Sequence, residues 1–506
     1  MAAFKSTATS AVALSIFMTG SAAFADVTAE QVWADWKEYM AGFGYEVEAT
    51  ENQSGNQLVV SDLTMKVDIP DEEADVSITM GQLTFSENGD GTVSIALPTE
   101  FPIVGAMESQ GENIGFNLNY INQDFVMTVS GDADQMTYDY SAALAKISLL
   151  DVVVNGEPVE IGQVEVSVAD TKGQSVMTIG ELRETQQTMT SGTVDYVIDM
   201  KDPESDDQFK MLGSFGGMNF EGTSSIPAEM DATDVAAMLA AGFAFDGKFG
   251  YGGGTVDFAI NGDGSTLEGN SAFGGGDFDI VMDEKALGYN VSLTDMDLSL
   301  KSGDLPFPVE FSMQEYAAKL LMPVGKSDEE QDFGLGVTLA DFTMSDMIWG
   351  MFDPSGQLPR DPATVSFDVT GKAKMAIDLM DPEAMEAVES GDVSFGELNA
   401  MNLNNLTVSL AGAELTGDGA FSFNNDDLES FGGMPAPVGA VDLKLVGGNG
   451  LLDKLVAMGF VPEDQAMGAR MMMGLFAVPG EGDDTLTSKI EVTEDGQVSA
   501  NGQRLK

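Results

Sequence analysis

Asp62-Leu63-Thr64-Met65-Lys66-Val67-Asp68-Ile69 puts an apolar side chain at every second position and a polar one between. Successive side chains of an extended strand point to opposite faces, so this octet predicts a strand with one apolar and one wet face. The reading repeats where Val76, Ile78 and Met80 alternate with Asp75, Ser77 and Thr79, and where Val256, Phe258 and Ile260 alternate with Asp257 and Ala259. Phe278, Ile280 and Met282 do the same among Asp277, Asp279 and Asp283. Sheets wet on one side are typically antiparallel. The predicted fold is therefore mainly β, a β-rich α+β arrangement of large antiparallel, curved sheets with a few short covering helices.

Turn and cap chemistry fills in the rest. Asn88-Gly89-Asp90-Gly91 before Val93, Gly417-Asp418-Gly419 before Phe421 and Asp495-Gly496 before Val498 carry residues that accept the positive φ of tight hairpins, so each is expected to be a turn. The glycine-dense stretch 242–276 keeps its apolar alternation, which a flexible linker lacks, and predicts twisted or bulged strands. Thr28-x-x-Gln31 before Val32, Trp33, Trp36, Tyr39 and Met40 predicts a capped amphipathic helix lying over a sheet end and stopping near Gly42-Phe43-Gly44. Ser312-x-x-Glu315 predicts a helix through Leu321, and Thr343-x-x-Asp346 another that stops at Asp353-Pro354. Pro382 opens a further helix as its first residue. Leu451 to Met458 and Pro462 to Phe476 predict a helical pair, and Ile490 to Val492 with Gln497 to Ser499 a closing strand pair. The expected organisation is a leader over 1–25 and one β-rich region over 26–506, weakly subdivided near 231–245.

Lys5, the apolar run from Ala11 to Met18, Gly20 and then Ala23-Phe24-Ala25 follow the three-part order of a secretory signal peptide. Residues 1–25 are thus expected to be removed on export and the remainder to be periplasmic. No transmembrane anchor is expected after cleavage, since the longest later apolar run, Val235 to Phe245, is too short to cross a bilayer. With 83 acidic against 22 basic residues, the formal charge of −61 excludes nucleic acid as a partner, because phosphates need Lys and Arg to neutralise them.

The chain has no cysteine and no histidine. Thiol catalysis, Cys- or His-ligated metals and Ser-His-Asp triads are excluded, and so is an acylated N-terminal cysteine. Gly325-Lys326-Ser327 resembles the end of a phosphate-binding loop, but the position of its first glycine is Leu320, inside a predicted helix, so that reading fails. Gly274-Gly275-Gly276-Asp277-Phe278-Asp279 resembles one calcium β-roll repeat, with Asp277 where a glycine belongs. No catalytic, cofactor-binding or metal-binding residue is singled out and no cofactor is expected. Thirty-two methionines, among them Met471-Met472-Met473, suit a flexible apolar groove. The expected function is that of a non-enzymatic envelope protein binding a hydrophobic, lipid-like ligand. One alternative is a structural or protein-interaction component of the envelope. The other is a carboxylate-dependent glycan hydrolase, for which no acidic pair stands out. An outer-membrane barrel is disfavoured by 8% aromatic residues and by the Gly502-Gln503-Arg504-Leu505-Lys506 ending.

Four blocks carry a family resemblance: Val32-Trp33-x-x-Trp36; the run from Trp349-Gly350-Met351-Phe352-Asp353-Pro354 through Leu358-Pro359-Arg360-Asp361-Pro362-Ala363; Gly447-Gly448-Asn449-Gly450-Leu451-Leu452; and Ala500-Asn501-Gly502. In these the chain resembles an uncharacterised family of exported alphaproteobacterial proteins, a domain-of-unknown-function family, over essentially all of its mature length. The resemblance implies a periplasmic home in a Gram-negative envelope and transfers no catalytic or binding residue. Taken by themselves, the prolines hold a loop and Arg360 pairs with a carboxylate.

Overall fold

The computed structural model describes residues 26–69, 74–109, 112–202, 205, 207–228, 234–262, 264–391 and 393–506; the predicted leader lies outside them. Helix α1 (Ala29–Gly42) starts on the predicted capping box, with Thr28 Oγ1 accepting from Gln31 N at 3.2 Å and Gln31 Oε1 from Thr28 N at 2.9 Å. Strands β1 (Glu46–Ser54) and β2 (Gln57–Ile69) form a hairpin. Broken strands follow: β3 (Ala74–Met80) then β4 (Leu83–Glu87), β5 (Val93–Ala96) then β6 (Glu100–Ser109), and β7 (Glu112–Gln123) then β8 (Val126–Gly131). β9 (Gln135–Val154) runs unbroken for 20 residues beside both β7 and β8, and β10 (Glu157–Val159) folds back on its end.

Next come β11 (Gly162–Ile179), β12 (Leu182–Thr190), β13 (Val194–Lys201), β14 (Gln208–Phe215) and β15 (Met218–Pro227). After α2 (Val235–Ala240) the strands lengthen: β16 (Ala244–Gly262), β17 (Ser265–Met282), β18 (Ala286–Ser302), β19 (Val309–Pro323) and β20 (Gln331–Met344). α3 (Asp346–Phe352), β21 (Ala363–Met375), α4 (Pro382–Glu389), β22 (Gly396–Leu410), β23 (Ala413–Asn424) and β24 (Ala436–Val446) lead to the helical pair α5 (Gly448–Ala457) and α6 (Glu463–Phe476). β25 (Val478–Pro479), β26 (Thr485–Val492), β27 (Val498–Ala500) and β28 (Gln503–Arg504) close the chain.

The 28 strands of the described residues belong to one hydrogen-bonded sheet, and from β16 to β24 each strand pairs with its chain neighbours, antiparallel throughout. Mainly β, antiparallel and extended, the chain has the predicted class. The up-and-down order places α2 and α4 in connections at one rim, and α3 and the α5–α6 pair at the other.

Tight packing is concentrated under α1. Its Val32 and Trp33 sit on Leu58, Val60, Phe85, Val93, Ile95, Val129 and Met136, all buried. Trp33 and Trp36 flank the Phe85 ring at 6.0 and 5.5 Å, so the tryptophan-bearing helix covers a sheet end as its spacing predicts. Farther along the sheet few side chains are so enclosed. The accessible surface is 29350 Å², whereas a compact 53.4 kDa monomer exposes about 18,000 Å². The open sheet contributes to that excess.

Three expectations are corrected. Ser312 to Leu321 is not a helix but part of β19, with Ser312 opposite Asp297 and Thr343. Leu320 is accordingly a strand residue, and the phosphate-loop reading fails on a strand rather than a helix. The helical look has a cause: apolar positions step by three from Met313 to Tyr316, and the same step occurs from Leu293 to Met296 in β18 and from Leu339 to Phe342 in β20. A local reset of strand phase thereby mimics an i, i+3 repeat. Gly417-Asp418-Gly419 is not a turn but the middle of β23; a Cβ on Gly417 would stand 2.5 Å from Leu443 Cδ2, and the turn is made instead by Ala411 (φ +51°) and Gly412 (φ +83°). The third helix starts on Ser345, because Thr343 is still paired in β20. The turns at 88–91 and 495–496, the helix opened by Pro382 and the helical pair fall where predicted.

Phe85→Ala should lower stability by about 3–5 kcal/mol, since it opens a cavity in the closed core under α1. Phe249→Ala, on the open sheet, should cost less than about 1 kcal/mol. Urea unfolding followed by tryptophan emission separates the two.

Candidate ligand-binding face

Register decides which side chains share a face. Phe245 and Phe249 of β16 stand opposite Met282 and Phe278 of β17, which face Leu287 and Val291 of β18. The row continues through Met322 and Ala318 of β19, Val337 of β20, Phe367 of β21, Leu406 of β22, and then Leu443 and Leu445 of β24 opposite β26. On the other face the same register joins Lys210 to Asp199 (3.1 Å), Lys319 to Asp368 (2.7 Å) and Lys372 to Asp332 (2.6 Å). Among the described residues of β1 to β26, Arg183 is the one Lys or Arg in an apolar row.

Among the described residues no second layer covers this face. Phe249, Ile260, Leu335 and Val365 are 40, 41, 47 and 43% exposed at interior strand positions that a packed layer would seal. Aromatic rings line up across it: Phe220, Phe249, Phe278 and Tyr289 follow one another at 4.5, 6.2 and 6.3 Å, and Tyr196, Phe215, Tyr251 and Phe273 at 6.4, 6.1 and 6.0 Å. Glycines crease the sheet beside the second row. Gly252 N donates to Gly216 O at 2.7 Å, and a Cβ on Gly253 would meet Phe273 O at 2.9 Å. Backbone approach that close admits no side chain. The stretch 242–276, predicted as twisted or bulged strands, contributes β16 and most of β17, which are creased here but pair in one unshifted register.

At the α1 end the apolar face runs into a cavity of 370 Å³ lined by Trp36, Tyr39, Met127, Tyr138, Met177 and Arg183. Arg183 Nη2 contacts Asp35 Oδ1 of α1 at 2.6 Å with both side chains nearly buried, and its guanidinium lies 5.1 Å from the Tyr39 ring centre. Tyr138 OH donates to Asp35 Oδ2 at 3.4 Å; burial, then the Asp35 charge, pushes the phenol well above its ordinary range. The pair ties α1 to the sheet. Three larger hollows, of 640, 590 and 470 Å³, are lined in part by charged groups such as Lys66, Lys210 with Asp199, and Asp139 with Lys172.

The residues of the family-like blocks are joints. Gly447 (φ +72°) precedes α5, and Asp484 accepts from Asn449 Nδ2 and Gly450 N, each at 2.8 Å. Burial raises the Asp484 pKa, but these donors outweigh it and hold the carboxyl below its usual range. Asp353 accepts from Leu358 N at 2.7 Å, Arg360 pairs with Asp346, and Asn501 and Gly502 (φ +49° and +79°) turn the last hairpin. Gly274 to Asp279 lies inside β17, and among the described residues no group of three or more acids is placed to hold a metal. Sequence reading missed Arg183 and Asp35, because only the cross-strand register shows that this arginine stands on the apolar side.

Residues 251–505 match the model of the family described as "Uncharacterized protein conserved in bacteria (DUF2125)". Three of the four blocks fall within the match, and Val32-Trp33-x-x-Trp36 lies before it. No curated protein matches the chain.

Asp35→Ala should destabilise the protein by about 3–5 kcal/mol by leaving the Arg183 charge buried alone, and pairing it with Arg183→Met should recover part of the loss in urea unfolding. Asp484→Asn should weaken α5 by about 1 kcal/mol at neutral pH. A carboxyl with a lowered folded pKa stabilises above its ordinary range and stops doing so as pH falls through the folded value, so wild type and variant should converge in acid. Hydrogen exchange of residues 448–457 against pH measures it.

Proposed function

We propose that this chain, a member of the uncharacterised bacterial family DUF2125, is an exported, non-enzymatic envelope protein that holds a hydrophobic, lipid-like ligand on the apolar face of its sheet. The observation that carries the reading is that face: continuous across the strands from β9 to β26 and, among the described residues, uncovered and free of Lys and Arg except at Arg183. At about 4.8 Å per strand it extends roughly 60 Å, so a band four residues or about 13 Å wide covers on the order of 800 Å², beyond the few hundred Å² of contiguous apolar surface that a monomer ordinarily leaves bare.

The chemistry of the face favours acyl chains over polypeptide. Its side chains are mostly Phe, Leu, Val and Met, with few hydrogen-bonding groups beyond Arg183 and the phenols of Tyr196, Tyr251 and Tyr289, so most N–H and C=O groups of a peptide backbone laid there would be left unpaired. A hydrocarbon has none to lose. It would gain about 0.8 kcal/mol per methylene removed from water, so roughly ten methylenes offset a binding cost of several kcal/mol. The leader-like opening and the acidic, cysteine-free composition agree with an envelope setting.

Lipid should co-purify with the native protein and be found by mass spectrometry of its extract. Leu335→Arg should cut uptake of a fluorescent fatty acid by about tenfold or more, while Thr338→Arg, on the polar face opposite Ser366, should leave it within about twofold. No lipid in the extract and no uptake by the wild type would refute the reading.

A further inference from the structure

The rim that carries α3 and the α5–α6 pair turns its apolar side chains away from the sheet. On α6, Met467, Met471 and Leu475 recur every four residues on the solvent side, with Met472 beside them, whereas Ala466 is buried. On α3, Met347 and Met351 repeat the spacing next to Phe352, and Phe460 stands out from the α5–α6 turn. These eight side chains are 47–73% exposed. A surface helix normally shows water its polar side; here the polarity is reversed on two helices of one rim.

Charge indicates what meets this rim. The protein carries −61 in all; beside the stripes Arg360 pairs with Asp346 of α3 and Arg470 of α6 with Asp453 of α5, while Glu463 and Asp464 in the first turn of α6 stand exposed. Two of the chain's four arginines make these pairs. The stripes are convex helix surfaces bearing flexible thioethers, which suit a fluid phase that needs no matching shape. We propose that this rim docks on the surface of a zwitterionic phospholipid bilayer, its Met, Leu and Phe side chains entering the boundary between headgroups and acyl chains. The partner's role rests on the proposed function, since a bilayer is where a hydrophobic ligand is collected or delivered. Anionic bilayers repel the rest of the molecule.

Flotation of the purified protein with phosphatidylcholine vesicles tests the inference. The wild type should float with them, and more weakly with phosphatidylglycerol vesicles at low salt. Met467→Gln, Met471→Gln, Met472→Gln and Leu475→Gln together should reduce the floated fraction about tenfold, as should Met347→Gln, Met351→Gln and Phe352→Gln together. Both variants change exposed positions and should keep the wild-type uptake of fluorescent fatty acid from solution. Failure of the wild type to float, or unchanged flotation of both variants, overturns the docking, and intact uptake beside it leaves the ligand reading standing. Wild-type dimers that become monomers in the variants by light scattering would assign the stripes to self-contact and overturn it as well. Flotation without uptake supports the docking and counts against the ligand reading.

Discussion

An antiparallel meander whose strands are apolar on one side must cover that side or leave it to another molecule, and the described residues of this chain supply cover at one end only. Helix α1 brings Val32 and Trp33 down on Phe85, Val93 and Val129 and makes a closed core there. The connections after β20, β21 and β24 carry helices too, but they hang from the rims at the strand ends. Hydrophobic burial is therefore unequal along the molecule, complete under α1 and partial over the long strands. That inequality contributes to the large surface for the mass, and the candidate ligand face follows from it.

Charge segregation keeps the arrangement in register. A slip of one residue would turn every strand over, carrying Lys319 and Asp368 to the apolar side and Leu320 and Phe367 to the wet one. The cross-strand pairs Lys210–Asp199, Lys319–Asp368 and Lys372–Asp332 are individually weak because they are exposed, but together they penalise that slip. Arg183 is the exception, an arginine on the apolar side whose charge is met by Asp35 from α1. The one helix that covers the face thus brings the one carboxylate needed there.

Family membership illuminates the joints more than the chemistry. Asp484 gathers the N-terminus of α5, Asp353 gathers the loop after α3, and Asn501 with Gly502 turns the last hairpin. Each meets a local backbone demand, an unpaired helix donor or a positive φ, that few residue types can meet. Such positions hold the long strands at their ends, while the face between them asks only for apolar bulk in alternation, which many sequences supply.

Strand class, the capped first helix, the Pro382 helix and the C-terminal helical pair were legible in the residues, because alternation, caps and turn residues act over a few neighbours. The Ser312–Leu321 segment and the Gly417–Gly419 run were misread for the opposite reason: a phase reset shared by β18, β19 and β20, and a glycine emptied to make room for Leu443, belong to strands far apart in the chain. What the sequence determined by itself was two-sided strands, one wet and one apolar. Whether anything covers the apolar side, and that Arg183 stands on it opposite Asp35, was decided only in the tertiary structure, since burial and charge pairing depend on which distant segments the register brings together.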